Sequence, residues 1–421
     1  MKRIKQLLKL IAVLLLMVGC NLTNSVSEKK EDLELTFVDA ASIEAWIEVK
    51  SNKDMPSWKV SIMQNGNYLY DVHLSKTDTI ICLDSLSPKT KYEVYAISDG
   101  KKSNVISFST LDTTSHDITW IDYQLGDDVS GYLNEIAIMN ENNVNAVGSL
   151  YKNGEYKHYN LVKYNGNEWE LERVEYREQG SIYILEYFSI YSVNSNSYWL
   201  GSAIPMQWNG SKYLQWLLDT TVFRSKIYSI GGTRNDNIYI GGAEGHLANY
   251  NGIKWQKINS KTDLLISGIK AYDNYKTGKE EVLCIAYNSN YVGARRNAII
   301  KITERTNTII ENITTLNNCL NIWTNKGFPI YITGGGLYSN KTGKWEDVKV
   351  PTNHESNRMA INGLNDIIVN SYGQLAHYNG ATWRVYNVNE GYYRDIEIKG
   401  NLIAMCGSNG SKPLIKIGIR N

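Results

Sequence analysis

Tyr164-Asn165-Gly166-Asn167-Glu168-Trp169 recurs along this chain. The copies are Trp208-Asn209-Gly210-Ser211-Lys212-Tyr213, Tyr250-Asn251-Gly252-Ile253-Lys254-Trp255 and Tyr378-Asn379-Gly380-Ala381-Thr382-Trp383, with a looser one at Asn340-Lys341-Thr342-Gly343-Lys344-Trp345. Asn-Gly is expected to supply the positive backbone dihedrals of a tight hairpin at Gly166, Gly210, Gly252 and Gly380, and the aromatic to open the next strand. The anchors Trp169, Tyr213, Trp255, Trp345 and Trp383 are spaced by 44, 42, 90 and 38 residues, the longest step being two of 45. A period of about 40–45 residues built from short strands is the spacing of β-propeller blades.

Working outward, residues 117–421 divide into repeats of four short apolar strands. The first is expected over Leu133–Met139, Val144–Ser149, Leu161–Tyr164 and Trp169–Tyr176. The fourth lacks the Asn-Gly signature and reads as irregular, with Lys276–Glu281 as an inserted loop. The last stretch supplies only Ile396–Ile398, Leu402–Cys406 and Leu414–Ile419. The missing strand is available upstream at Ile118–Tyr123, where Trp120 precedes Trp169 by 49 residues. An N-terminal outer strand completing the C-terminal blade gives seven blades and removes an open edge. Six blades with a ragged end is the competing reading. The anchors Trp120, Trp169, Tyr213, Trp255, Trp345 and Trp383 read as structural, because blades around a ring cannot all turn one position toward one ligand.

Met1-Lys2-Arg3-Ile4-Lys5 is a basic head, followed by an apolar stretch too short to span a bilayer comfortably. It ends in Met17-Val18-Gly19-Cys20, which resembles a bacterial lipobox. The resemblance implies a signal peptide over 1–19, acylation of Cys20 and attachment to a membrane. More than one acyl chain is needed for stable anchoring. The polar stretch from Asn21 reads as a flexible tether, so that 20–31 is lipidated Cys plus linker. Asn21 gives no inner-membrane retention signal, and the expected address is the cell envelope at the outer membrane.

Composition agrees with an exported, uncharged scaffold. Lys+Arg 44 against Asp+Glu 43 leaves +1, so no basic field draws nucleic acid. Thirty Tyr, 11 Trp and 33 Gly with only 6 Pro suit a β-rich chain with many tight turns. Cys82, Cys284, Cys319 and Cys406 sit in or beside apolar runs without zinc-type spacing and read as buried thiols.

Residues 32–111 hold seven short strands, with turn signals at Asn65-Gly66 and Asp99-Gly100. Leu86-Ser87-Pro88-Lys89-Thr90-Lys91-Tyr92-Glu93-Val94 resembles the loop entering strand F of a fibronectin type III domain. The resemblance makes Tyr92 a tyrosine corner and Trp46 a core residue of a two-sheet sandwich. The whole chain is then all-β: a fibronectin type III-like sandwich (32–111) followed by a seven-bladed β-propeller (117–421). The propeller hairpin also resembles the Asp-box turn of sialidases, without its Asp. The combination of lipobox, sandwich and Asn-Gly-x-x-Trp propeller, with Ser115-His116-Asp117-Ile118-Thr119-Trp120 as propeller entry, resembles a family of Bacteroidota- and Ignavibacteria-type surface lipoproteins with no established activity. Some relatives carry a glucosyltransferase label, for which this sequence has no nucleotide-sugar motif.

No chemistry stands out. The 6 His form no metal-ligand spacing, and His246 and His377 read as strand-edge residues. Gly231-Gly232, Gly241-Gly242 and Gly334-Gly335-Gly336 are placed in short β segments, where backbones crowd, rather than at a phosphate-binding turn. No catalytic residue, metal or cofactor is expected. The reading is a membrane-held binding or scaffold protein whose propeller face meets a protein or glycan partner. The alternative is a carbohydrate-active propeller using its central funnel, which needs two carboxylates about 5–10 Å apart.

Overall fold

The computed structural model describes residues 33–421 apart from 52–57, 75, 128–130, 289–295, 306, 314–315, 317–318, 389–390 and 411. The leader, Cys20 and the tether lie outside the described residues. The described chain is all-β, with one 3-10 turn at Ala243–Gly245. It forms two compact units. The first comprises the chain to Thr36, Glu48–Thr79 and Tyr92–Ser107. The second comprises Phe37–Ile47, Ile80–Lys91 and Phe108–Asn421.

In the first unit Trp58–Gln64 pairs with Asn67–Leu74 and with Lys91–Ser98, which continues into Lys101–Lys102. Both hairpin turns have the positive φ pair that matches strand twist: Asn65 and Gly66 at 49° and 81°, Asp99 and Gly100 at 49° and 75°. Val60, Ile62, Val94 and Ala96 are buried and alternate along their strands with more exposed neighbours. Tyr92 is buried in the same sheet.

The second unit carries seven four-stranded antiparallel sheets among the described residues. The first sheet runs Tyr132–Asn140, Asn143–Leu150, Tyr159–Tyr164, Trp169–Glu172. The other first strands are Ser189–Asn194, Ile227–Arg234, Leu265–Asp273, Asn321–Thr324, Ser356–Gly363 and Tyr392–Lys399. Six sheets use strands in chain order. The seventh takes Tyr392–Lys399, Leu402–Asn409 and Lys412–Arg420, then Ile118–Gln124 as its fourth strand. That pairing runs from Leu414↔Gln124 to Arg420↔Ile118, and Lys416 forms an ion pair with its partner Asp122. No sheet closes on itself.

Among the described residues seven hydrophobic clusters lie between consecutive sheets, one of them also taking in Val38, Ala41 and Trp46. Ile138, Val144 and Val162 of the first sheet pack with Leu402, Ile415 and Ile417 of the seventh. Val147 and Leu161 pack with Tyr198 and Leu200 of the second, and five more clusters continue the succession. The first strands touch in the same order, and Tyr392–Lys399 touches Tyr132–Asn140. Burying one such Ile or Leu contributes about 1.5–3 kcal/mol, so every sheet depends on both its neighbours. Gly231 permits close approach: a Cβ there would lie 2.8 Å from the Ile269 carbonyl oxygen.

Several details depart from the sequence expectations. The strand expected over Trp169–Tyr176 stops at Glu172, and Glu175–Glu178 pairs instead with Ser181–Ile184 in a separate hairpin. Buried Asn160 holds the base of this excursion, its amide bonding the Val174 N–H, the Val174 carbonyl and the Leu185 carbonyl. Glu280 and Glu281 belong to strand Glu280–Tyr287, and the fourth sheet is regular rather than irregular. Its turn is capped by Asn274, whose Oδ1 accepts the Lys276 and Thr277 N–H groups. Gly334–Gly336 form a turn rather than a β segment. Trp345 falls just before the short strand Glu346–Asp347. Trp46 packs with Phe328, Tyr331, Leu337 and Met359 of the second unit, and its Nε1 donates to the Lys341 carbonyl at 3.0 Å. Cys284, Cys319 and Cys406 are buried free thiols and Cys82 is half-buried. Burial pushes Cys82 and Cys319 up to about 12.

Candidate functional site

The recurrent hairpins are built alike. In each copy Asn Oδ1 accepts two backbone N–H groups: Asn165 from Asn167 and Glu168 at 2.9 and 3.0 Å, Asn379 from Ala381 and Thr382 at 3.0 and 2.9 Å. Asn209 and Asn251 do the same. Only the glycine is left-handed, with φ of 96°, 95°, 90° and 96° at Gly166, Gly210, Gly252 and Gly380. The Asn therefore acts through its side chain rather than through a positive dihedral. The aromatics flanking the turn face each other across the strands, with ring centroids 5.1 Å apart for Tyr164–Trp169, 4.9 Å for Trp208–Tyr213, 5.5 Å for Tyr250–Trp255 and 5.2 Å for Tyr378–Trp383. Trp169 also meets Tyr123, and Trp120 meets Tyr386, both across a sheet-to-sheet boundary. These anchors are distributed around the sheets and do not converge.

What converges is the set of residues at the start of the first strands. A cavity of about 630 Å³ is lined by Tyr132, Asn134, Glu186, Phe188, Lys226, Tyr228, Leu265, Ser267, Tyr287, Leu320, Arg358, Tyr392 and Arg394. Every one of the seven sheets contributes to it, through its first strand or a residue flanking its strands. Arg394 donates from Nη1 to Asn134 Oδ1 at 3.0 Å, and its guanidinium lies 4.3 Å from the Tyr132 ring centre. Tyr132 OH and Asn134 Nδ2 both donate to Glu186 Oε1, at 2.8 and 3.1 Å. Arg358 Nε donates to the Arg394 carbonyl at 2.8 Å. Two further cavities lie elsewhere: about 660 Å³ beside Tyr156 and Tyr183, and about 440 Å³ beside Arg234 and Glu280.

Three carboxyls sit one position further along these strands or beyond. Glu135 accepts the Ile190 N–H at 2.6 Å, Asp395 the Ile136 N–H at 3.0 Å, and Glu397 the Ile138 N–H. The reason is the edge. A first strand has a ladder partner on one side only, so its other N–H groups need acceptors, and the preceding sheet supplies them. Lys399 serves the carbonyls, donating to Ile138 and Met139. Each carboxyl keeps some accessible surface yet is surrounded by protein. Burial drives Asp395 up to about 6 and Glu397 up to about 8. Burial, and then the Asp395 charge, raises Glu135 well above the carboxylate range. The same loss of solvent lowers Lys270 against the pull of Glu397. Among the described residues Glu186 is the one carboxylate lining the cavity, and no Trp lines it.

The sequence also missed a histidine pair. His377 is not a strand-edge residue: it is 0% exposed, with Nε2 3.1 Å from Asp366 Oδ1, which also accepts Arg420 Nη2 at 2.5 Å. His116 Nδ1 lies 2.9 Å from His377 Nδ1, and His116 Nε2 lies 3.1 Å from Thr382 Oγ1. With Asp366 holding the His377 proton on Nε2, His377 Nδ1 accepts from His116 and His116 Nε2 accepts from Thr382. Burial is the largest influence on His116 and lowers it. The chain of bonds pins the segment entering Ile118–Gln124 onto the sixth sheet. Only the phrase Ser115-His116-Asp117 marks it in the sequence.

No protein-family model matches this chain, and no curated protein sequence matches it. Solved structures do. YCF48 bound to D1 peptide aligns at a TM-score of 0.54 and 14% identity, covering 74% of this chain and 100% of that one. The WD40 β-propeller domain of Doa1 aligns at 0.50 and 11% identity, covering 71% and 96%. The extracellular domain of the one component system BT4673 from B. thetaiotaomicron aligns at 0.49 and 13% identity, covering 70% and 40%. At such identities the first two likenesses concern fold alone, and with the succession of four-stranded sheets they support a propeller-type fold.

Proposed function

We propose that this chain is a lipid-anchored binding protein that presents its propeller mouth to a protein partner. Acylated Cys20 holds it in the cell envelope at the outer membrane. The 32–111 segment acts as a fibronectin type III-like spacer with Tyr92 at its tyrosine corner. The propeller has seven blades, the last completed by Ile118–Gln124. The observation that carries the binding reading is the cavity to which all seven sheets contribute, with Tyr228 and Tyr392 exposed at 38% and 53%. Tyrosine supplies contact area and a hydrogen bond at low entropy cost, which suits recognition surfaces. The carbohydrate-active alternative has weaker support, because Glu135, Asp395 and Glu397 are each engaged by a strand N–H.

The test is photo-crosslinking in native membranes from a reactive amino acid placed at Tyr228, at Tyr392 and, as control, at exposed Ile309. The same discrete protein adduct from both mouth positions, absent from position 309, is the expected result. Equal labelling at all three positions, or none at the mouth, removes the reading.

A further inference from the structure

Arg358 and Arg394 stand in one corner of the mouth with part of their hydrogen-bonding capacity unused. Arg358 spends Nε on the Arg394 carbonyl, and Arg394 spends Nη1 on Asn134. Arg358 Nη1 and Arg394 Nε are buried without any partner. The Nη2 atom of each makes no hydrogen bond, and neither guanidinium forms an ion pair among the described residues. Buried guanidinium N–H groups left unpaired are costly, which is tolerated where a ligand completes the set. The lining holds three cations, Lys226, Arg358 and Arg394, against one carboxylate, Glu186. Glu186 Oε1 already accepts from Tyr132 and Asn134. Of the deeper carboxyls, burial drives Glu135 and Glu397 toward their neutral forms, whereas Asp395, raised only to about 6, offsets part of the Arg358 charge and leaves Arg394 and Lys226 in excess. Stacking on Tyr132 fixes the plane of the Arg394 guanidinium, which favours a planar two-oxygen anion over a point charge.

We infer that the mouth binds a carboxylate of an extended acidic peptide segment, held by Arg358 and Arg394 with Lys226 at the rim. The inference rests on the protein-binding reading and names the chemistry of the partner. The lining also holds apolar residues, Phe188, Leu265 and Leu320, which take a hydrophobic side chain beside the acid. This composition favours a peptide over an acidic sugar: a sugar ring stacks best on indole, and no Trp lines the cavity. The cavity of about 630 Å³ has room for several residues.

The test uses the full chain in detergent. Two fluorescent, C-terminally amidated octapeptides are compared by anisotropy, one with a Glu-Leu-Glu-Phe core and one with Gln-Leu-Gln-Phe, alongside labelled trigalacturonate as a carboxylated sugar. The Glu peptide is expected to bind, more weakly as salt rises, and the Gln peptide at least about tenfold more weakly. R394Q is expected to weaken the Glu peptide about tenfold. K226E, whose native side chain makes no hydrogen bond among the described residues and lies 4.7 Å from the Phe188 ring centre, keeps the assay decisive should R394Q melt early, and is expected to weaken it several-fold. Equal binding of the Glu and Gln peptides, or no loss in K226E and R394Q, overturns the inference. Arginine-dependent binding of trigalacturonate without peptide binding reassigns the site to a sugar acid and overturns it as well. A crosslinked partner retained by K226E and R394Q leaves the protein-binding reading standing and removes only the carboxylate. Absence of any adduct at the mouth removes the reading itself.

Discussion

Glu397 accepts the Ile138 N–H across a sheet boundary while protein surrounds its carboxyl. Burial is the largest influence on it and lifts it from 4.5 to about 8, with the Ile138 bond opposing and the Asp395 charge reinforcing. A carboxyl raised in the folded state binds its proton more tightly there than in the unfolded chain. Its stabilising effect is complete below pH 4.5 and is lost as pH rises through about 8. Asp395 acts in the same sense over a lower window, from 3.8 to about 6. The second unit should therefore melt at progressively lower temperature from pH 5 to pH 9. The slope from one such group is at most about 1.4 kcal/mol per pH unit, reduced by whatever solvent reaches it. Glu397→Gln keeps an oxygen for Ile138 and cannot ionise, so its melting curve should flatten above pH 6. Thermal melts at pH 5, 7 and 9 decide it: an unchanged slope in the variant would show that the carboxyl is not held neutral.

The element that made the sheets legible is the hairpin around Asn165, and its chemistry predicts the effect of mutation. In the copy at Asn251, Oδ1 accepts two backbone N–H groups in an exposed turn, so Asn251→Ala should cost about 1 kcal/mol and Asn251→Asp nearly nothing. Urea unfolding of the two variants checks it: equal losses in the Asp and Ala variants would mean that the side-chain oxygen contributes nothing. The motif located four last strands because Gly φ, Asn cap and paired aromatics recur together. The fourth sheet escaped it because its third and fourth strands join through Glu304-Arg305, with φ of 51° and 68°, in place of Asn-Gly. The hairpin Glu175–Ile184 escaped because its turn is Gln179-Gly180, with φ of 48° and 82°, and Gln is not a residue that announces a left-handed turn. The mouth was invisible for another reason. Asn134, Glu186, Arg358 and Arg394 come from positions far apart in the chain, and each alone reads as an ordinary polar residue on a β segment. The edge-capping carboxyls are similar: a Glu that bonds the next sheet looks in sequence like one facing water. Ile118–Gln124 was legible because the C-terminal stretch falls one strand short and an apolar run with Trp stands upstream.

At the scale of the whole molecule, the consequence is that the second unit has no free end. A linear array of repeats frays from its termini, because terminal repeats have one neighbour. Here the core joining Leu402, Ala404 and Ile415 to Leu133, Ile136 and Val144 gives the first and seventh sheets two neighbours each. Strand Ile118–Gln124 covers the edge that Lys412–Arg420 would otherwise expose. The contact admitting it is narrow: Gly418 lies opposite Trp120, and a Cβ there would sit 2.6 Å from the indole Cζ3 and 3.0 Å from Ile118 Cγ2. Gly418→Val must push the strand or the indole aside, a change costing about 1–3 kcal/mol. Lys412–Arg420 also packs its Ile415 and Ile417 against the first sheet, so the damage should not stay local. Hydrogen exchange of the variant is expected to show protection lost together in Leu402–Asn409 and in Asn143–Leu150. Glu280–Tyr287, three sheets away on either path, should keep its protection until global unfolding. Loss confined to the seventh sheet, with Asn143–Leu150 as protected as in the native chain, would mean that the two ends fold as independent termini and that the shared core does not couple them.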